Sequence, residues 1–301
     1  MNRLFCLYPI FFTVLAGVLG ACVGSFLNVV IYRVPAEKSV ITPGSHCACG
    51  APIAWYDNIP ILSWFILRGR ARCCGKPYSL RYSVVELLTA ALFVACWLMF
   101  PFNHAKAFIG MGFVSVMVAV TFIDLDHMII PDAFSLGGGV AGVVLSFLFP
   151  ALHKMYGPIF MISSVRSGVA SLEGLLIGSG IVLWIALLAE VVLRKEAMGF
   201  GDVKFLGMIG AFCGWQGALF SLFGGAVVNL VWVIASLAWV KITGHAAAVA
   251  PKATTPDGDA AELGIGVQIP FGPGLAIAGG LYFLFFQPMV AAWFAGVTAM
   301  L

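Results

Sequence analysis

The chain has 301 residues, of which 61% are hydrophobic and only 10% charged. That balance excludes a water-soluble globular domain, which sits nearer a quarter charged, and makes the bilayer the solvent. The net charge of +3 gives no case for a nucleic-acid partner, because the basic residues stand beside apolar runs, where membrane topology accounts for them.

A spanning helix needs roughly 20 apolar residues. About eight stretches approach that length: 9–32, 83–100, 107–123, 133–150, 174–193, 203–222, 224–240 and 270–299. The expected fold is therefore an all-α polytopic membrane protein. The first stretch does not read as a cleaved signal. Arg3 is the only charge ahead of it, and no small-residue cleavage site leads into a soluble domain. Residues 1–32 are expected to form the first transmembrane helix. Asn28, inside that stretch, wants an interhelical hydrogen-bond partner.

Residues 33–81 form the longest polar segment and carry Cys47, Cys49, Cys73 and Cys74. So short a loop cannot build a sufficient apolar core and needs a staple or support from the membrane part. On a reducing cytoplasmic side, disulfides are unsuitable. Two cysteine pairs, each followed by glycine, suggest the knuckles of a zinc ribbon. The spacing is irregular, C-x-C and then C-C. His46-x-x-Cys49 restores the usual knuckle spacing, so the expected ligands are His46, Cys49, Cys74 and one of Cys47 or Cys73. The other reading is a degenerate ribbon holding free thiols.

Glu86 opens the second span. It reads either as a contact for a substrate amine or methyl donor, or as a polar helix start paired with Arg81. Three acids follow the third apolar run: Asp124, Asp126 and Asp132. Asp132, after Pro131, is expected to cap the next helix, and Asp126 to be a solvated boundary residue. Asp124 directly follows apolar residues and is expected slightly inside the membrane. Asp202 lies after Gly199 and Gly201, which leave room for a peptide backbone. Lys204 either tunes Asp202 or marks the boundary. Gly214-Trp215-Gln216 makes the limits of the sixth and seventh stretches ambiguous: a short half-span there could precede a long tilted one. Residues 244–268 lack aromatics and periodicity and read as a flexible loop.

Lysine and arginine placement sets the orientation. With the N-terminus outside, Arg33, Lys38, Arg68, Arg70, Arg72, Lys76, Arg81, Arg194, Lys195, Lys204, Lys241 and Lys252 fall inside. Asp124 and Asp202 then share the cytoplasmic face. Two carboxylates a few ångströms apart and out of water share a proton, and such a pair can activate a water and protonate a carbonyl. The same pair could instead couple ions in a transporter.

Several segments resemble the type IV prepilin peptidases: GSFLNVVIYRVP (24–35), NIPILSWFILRGR (58–70), SLRYSVVE (79–86), FIDLDHMIIPD (122–132), GFGDVK (199–204) and IPFGPGLA (269–276). Their order matches the family's over nearly the whole chain. The resemblance implies catalytic aspartates at Asp124 and Asp202, the latter in a Gly-x-Gly-Asp element with Gly199 and Gly201 in support. It implies a peptidase core over 82–301 behind a zinc-ribbon-like domain at 33–81, in the bacterial inner membrane. It further implies cleavage of a prepilin or type II secretion pseudopilin after a glycine, where a short basic leader meets an apolar helix. N-methylation of the new terminus by S-adenosylmethionine follows from the resemblance alone. Family members that bind zinc carry two C-x-x-C knuckles; His46 and Ala71 stand where the outer cysteines would be.

Overall fold

The computed structural model describes residues 2–47, 49–193, 199–243 and 270–298. The expected 244–268 loop lies outside the described residues. Those residues are helical apart from turns and two isolated bridges, His46 to Pro52 and Arg70 to Pro77. Among the described residues, six helices are long and apolar enough to cross a membrane by length and composition. The chain divides into two compact units, Met1–Ala119 and Val120–Leu301.

In the first unit, α1 (Asn2–Arg33) packs on α3 (Arg81–Met99). Gly20 and Gly24 form a small-xxx-small pair that lets the two backbones meet. A Cβ on Gly20 would fall 2.7 Å from Ala90 Cα, and one on Gly24 would fall 2.7 Å from Glu86 Cα. Asn28 Nδ2 donates to the Tyr82 carbonyl at 3.0 Å, the interhelical bond its position called for. The pairs 20–90, 24–86 and 28–82 count in opposite directions, so the helices are antiparallel. Between them run turns, a 3-10 turn (Trp55–Asn58) and the five-residue helix α2 (Leu62–Ile66). Helix α4 (His104–His127) then carries the chain across into the second unit.

In the second unit, α5 (Asp132–Leu148) has 17 residues, shorter than the full span expected at 133–150. In contrast, α6 (Phe160–Leu193) is far longer than the stretch 174–193. Its early turns contain serines that lower hydropathy without breaking the helix. Ser163, Ser167 and Ser171 recur every fourth residue and are buried together on one face.

Helix α7 (Phe200–Thr243) is interrupted at Gly214, with φ 72° and ψ 174°, a conformation essentially reserved for glycine. Gly178 of α6 faces both Leu206 and Ala218, and Gly279 faces both Ile209 and Ser221. Residues twelve apart on one straight helix would be about 18 Å apart. The chain therefore doubles back at Gly214, giving a short first limb and a long second limb. Of the two limits open in the sequence, the short half-span is the one found. Helix α8 (Gly272–Leu281), a π-helical turn (Tyr282–Phe286) and α9 (Gln287–Thr298) close the unit.

These contacts are built on glycine. A Cβ on Gly174 would lie 2.1 Å from the Gly210 carbonyl oxygen, and one on Gly225 would lie 3.0 Å from the Gly274 carbonyl carbon. Without a hydrophobic drive between helices in lipid, such close backbone approach supplies the packing.

Candidate active site

Asp124 sits in the last turn of α4 with 4% of its surface exposed. Its Oδ2 accepts the backbone N–H of Gly272 at 3.0 Å. That amide is free to donate because Gly272 opens α8, where the first N–H groups lack helical partners. Any side chain at 272 would collide, since a Cβ there falls 2.6 Å from Asp124 Oδ2. Asn229, on the long limb of α7, donates from Nδ2 to the Phe271 carbonyl at 3.3 Å and so ties down the same turn.

Asp202 lies in the first turn of α7, half-buried, with its N–H on the Gly199 carbonyl at 3.1 Å. Ile130 borders both glycine positions: its Cβ is 3.2 Å from where a Gly201 Cβ would be, and its Cδ1 is 3.2 Å from the Gly272 Cβ position. Asp124 and Asp202 interact electrostatically across this small space. Gly199 and Gly201 carry no side chain into it. The arrangement is two carboxylates, one backbone N–H donor and an opening walled by glycine. Such a set can hold a water between two acids and accept an extended backbone.

The neighbouring acids are elsewhere. Asp126 is exposed. Asp132 is the first residue of α5, but its side chain makes no capping bond; the N-cap is Pro131. Asp132 Oδ1 instead accepts from Lys204 Nζ at 2.7 Å. An acid in the first turn still suits the helix dipole. Lys204 also lies over the Phe200 ring at 5.1 Å. Its charge is thus directed to Asp132 and not to Asp202. Glu86 is buried at 8% exposure, and its Oε2 accepts the N–H of Ile61 at 2.6 Å. The sequence did not single out Gly272 or Asn229. The Gly-Pro-Gly of 272–274 was a visible sign of close approach, but nothing in it named Asp124 as the partner.

In the polar loop, the Sγ atoms of Cys47, Cys49, Cys73 and Cys74 all lie within 4.8 Å of one another. Cys47 is 3.6 Å from Cys74, and Cys49 is 3.4 Å from Cys73. His46, also expected among the ligands, has its Nδ1 3.0 Å from the Gly44 carbonyl and is not one of the four grouped residues. Each pair sits on a tight turn. Gly50 N–H donates to Cys47 O and Gly75 N–H to Ala71 O, both at 2.8 Å, and both glycines have positive φ. The turns bring C-x-C and C-C spacings to one point, as C-x-x-C would. The Cys49 backbone N–H and the Cys73 and Cys74 thiols bring the Cys47 thiol down to about 7. Cys73, facing Cys47 and Cys49, is pushed up to about 12.

Two family models match. Residues 18–100 match the bacterial peptidase A24 N-terminal domain, and residues 111–234 match the type IV leader peptidase family. A prepilin leader peptidase/N-methyltransferase of Myxococcus xanthus is 40% identical over 230 residues, covering 75% of this chain and 64% of that protein. One from Klebsiella pneumoniae is 38% identical, covering 65% of this chain and 83% of its own length. One from Xanthomonas campestris pv. campestris is 32% identical over 312 residues, covering 93% and 94%. No solved structure matches the chain.

Proposed function

Because the chain belongs to the type IV leader peptidase family, we propose that it is a multi-pass membrane aspartic endopeptidase of the bacterial inner membrane. Its substrates are type IV prepilins or type II secretion pseudopilins, cut after a glycine at the cytoplasmic boundary. Asp124 and Asp202 are the catalytic pair. The observation that carries this reading is the buried Asp124, held by the Gly272 N–H, in electrostatic contact with Asp202 behind two glycines. One carboxylate takes a proton from the attacking water, and the other gives a proton to the scissile carbonyl oxygen. Collapse of the tetrahedral intermediate returns a proton to the leaving amine. The glycines at 199 and 201 let the substrate backbone reach the pair.

The relatives' names join the peptidase to an N-methyltransferase, and we extend that activity to this chain with S-adenosylmethionine as donor. This half rests on the relatives and assigns no residue to the donor. Nothing in their names supports the ion-coupled transporter. Functionally, the chain divides into the first span (1–32), a zinc-ribbon-like domain (33–81) and the peptidase core (82–301).

The cysteine set fits zinc. A tetrahedral ion with Zn–S near 2.3 Å places its sulfurs about 3.8 Å apart, close to the spacings of 3.4 and 3.6 Å here. Cys47, Cys49, Cys73 and Cys74 would hold it, and when bound it cross-links the two turns of a loop with little core. The decisive experiment mixes the purified protein with a prepilin and methyl donor and reads the product by mass spectrometry. Loss of the leader and a gain of one methyl are expected; an uncut prepilin would refute the peptidase reading.

A further inference from the structure

The polar loop carries a largely exposed apolar face, whose Phe65 ring meets Trp64 edge-on at 5.2 Å. In α2, Leu62, Phe65 and Ile66 are spaced i, i+3 and i+4, so they share one side of the helix. They are 56%, 61% and 67% exposed. The residues just after them are basic: Arg68 and Arg70 are exposed and have no acidic partner among the described residues. Arg72, by contrast, is engaged by Asp57 at 2.8 Å.

The depth of this helix is fixed by one bond. The Ile61 N–H, at the start of α2, donates to Glu86 Oε2. Glu86 lies five residues inside the apolar helix Arg81–Met99, about 7.5 Å along its axis from Arg81. Glu86 is also level with Gly24, nine residues before the end of α1. The loop thus dips back below the ends of the two helices that tether it. An apolar face at that level of two apolar helices is stable where headgroups meet acyl chains.

We propose that α2 is an interfacial anchor, with Leu62, Phe65 and Ile66 inserted among acyl chains and Arg68 and Arg70 on the phosphates of anionic phospholipid. Charge selects this occupant over a prepilin, whose basic leader would meet Arg68 and Arg70 as a like charge. An anionic leaflet attracts basic residues beside a membrane helix and so favours the same placement. The inference depends on the membrane fold and not on the peptidase reading, so each can fail alone.

The test uses the full chain, with the photoreactive residue p-benzoylphenylalanine replacing Phe65, in vesicles of phosphatidylethanolamine and phosphatidylglycerol. After irradiation, adducts are identified by mass. Lysine 76, exposed on the second cysteine turn, is the control position. Lipid adducts at 65 should exceed those at 76 by about tenfold, with phosphatidylglycerol enriched about twofold over its mole fraction. Arg68→Glu with Arg70→Glu should abolish the enrichment. Equal labelling at 65 and 76, cross-links to prepilin or to another segment of the chain, or an absence of lipid preference would overturn the proposal. If the Phe65 replacement does not insert, the same label at Ile66 gives the same reading.

Discussion

The carboxylate pocket and the cysteine loop solve opposite problems. The pocket belongs to a unit whose helices are pressed together backbone to backbone. Gly174 against Gly210, Gly225 against Gly274, and Gly272 against Asp124 leave no room for a single added carbon. The loop has turns, an ion pair between Asp57 and Arg72, and four thiols exposed or half-buried at one point. One region is held by what its residues lack, the other by what a few side chains can bind. Damage to the pocket should therefore appear as lost chemistry, and damage to the loop as lost metal or local order.

The largest effect should come from the two acids themselves. Asp124→Asn and Asp202→Asn are each expected to lower prepilin cleavage at least about 10³-fold, with insertion and helix content unchanged. Measured singly and together, the two losses should be far from multiplicative, because the acids act as one unit. Near-normal cleavage by either variant would remove the pair from the mechanism.

Gly272→Ala tests whether the backbone wall positions the acid. Its Cβ would lie 2.6 Å from Asp124 Oδ2, so the carboxylate or the turn must move. A displacement near 1 Å at a reacting group can cost about 10²-fold. We expect cleavage to fall by about 10- to 100-fold, with KM for prepilin little changed. Alanine at 280, where an added carbon meets nothing within 4 Å, is the matched control and should leave cleavage intact.

The contrast between the regions also explains what the sequence disclosed. Asp124 and Asp202 were legible because each acid interrupts an apolar run and glycines mark one of them. Their approach was not legible, since it depends on Gly272, some 70 residues beyond Asp202 and about 150 beyond Asp124 in the chain. The bend at Gly214 was visible as an ambiguous boundary, but only the three-dimensional contacts of Gly178 and Gly279 fix it as a reversal. Hydropathy lost the start of α6 because Ser163, Ser167 and Ser171, polar in sequence, are buried inside the protein. At the knuckles, counting residues between cysteines did not show that four sulfurs come together. A positive-φ glycine after each pair turns the chain tightly enough to gather Cys47 and Cys73 with Cys49 and Cys74.

The loop's own sensitivity should be to metal. Cys49→Ser and Cys74→Ser are each expected to lower bound zinc from about one per chain to near zero, measured by elemental analysis of the purified protein. Amide exchange should then quicken at residues 45–53 and 70–77 while the transmembrane helices keep their protection. Unchanged metal content in both variants would leave the sulfur cluster without its proposed ligand.

The smallest effect is the loop's response to acid. Arg72, by hydrogen bond and charge, holds the Asp57 carboxyl below the usual range. A group whose folded pKa is depressed contributes stability above its unfolded value, near 3.9 for aspartate, and loses it as pH falls through the folded one. The Asp57–Arg72 contact should accordingly be constant from about pH 5 to 8 and fade only below about pH 4. Arg72 faces solvent although Asp57 is mostly covered, so the pair is screened and worth little to the whole protein. Exchange at residues 54–58 and 70–73 is the measurement able to see it, and Asp57→Asn should remove the pH step while leaving cleavage at neutral pH unchanged. A step that survives Asp57→Asn would belong to another acid, and the loop's order would then not depend on this ion pair.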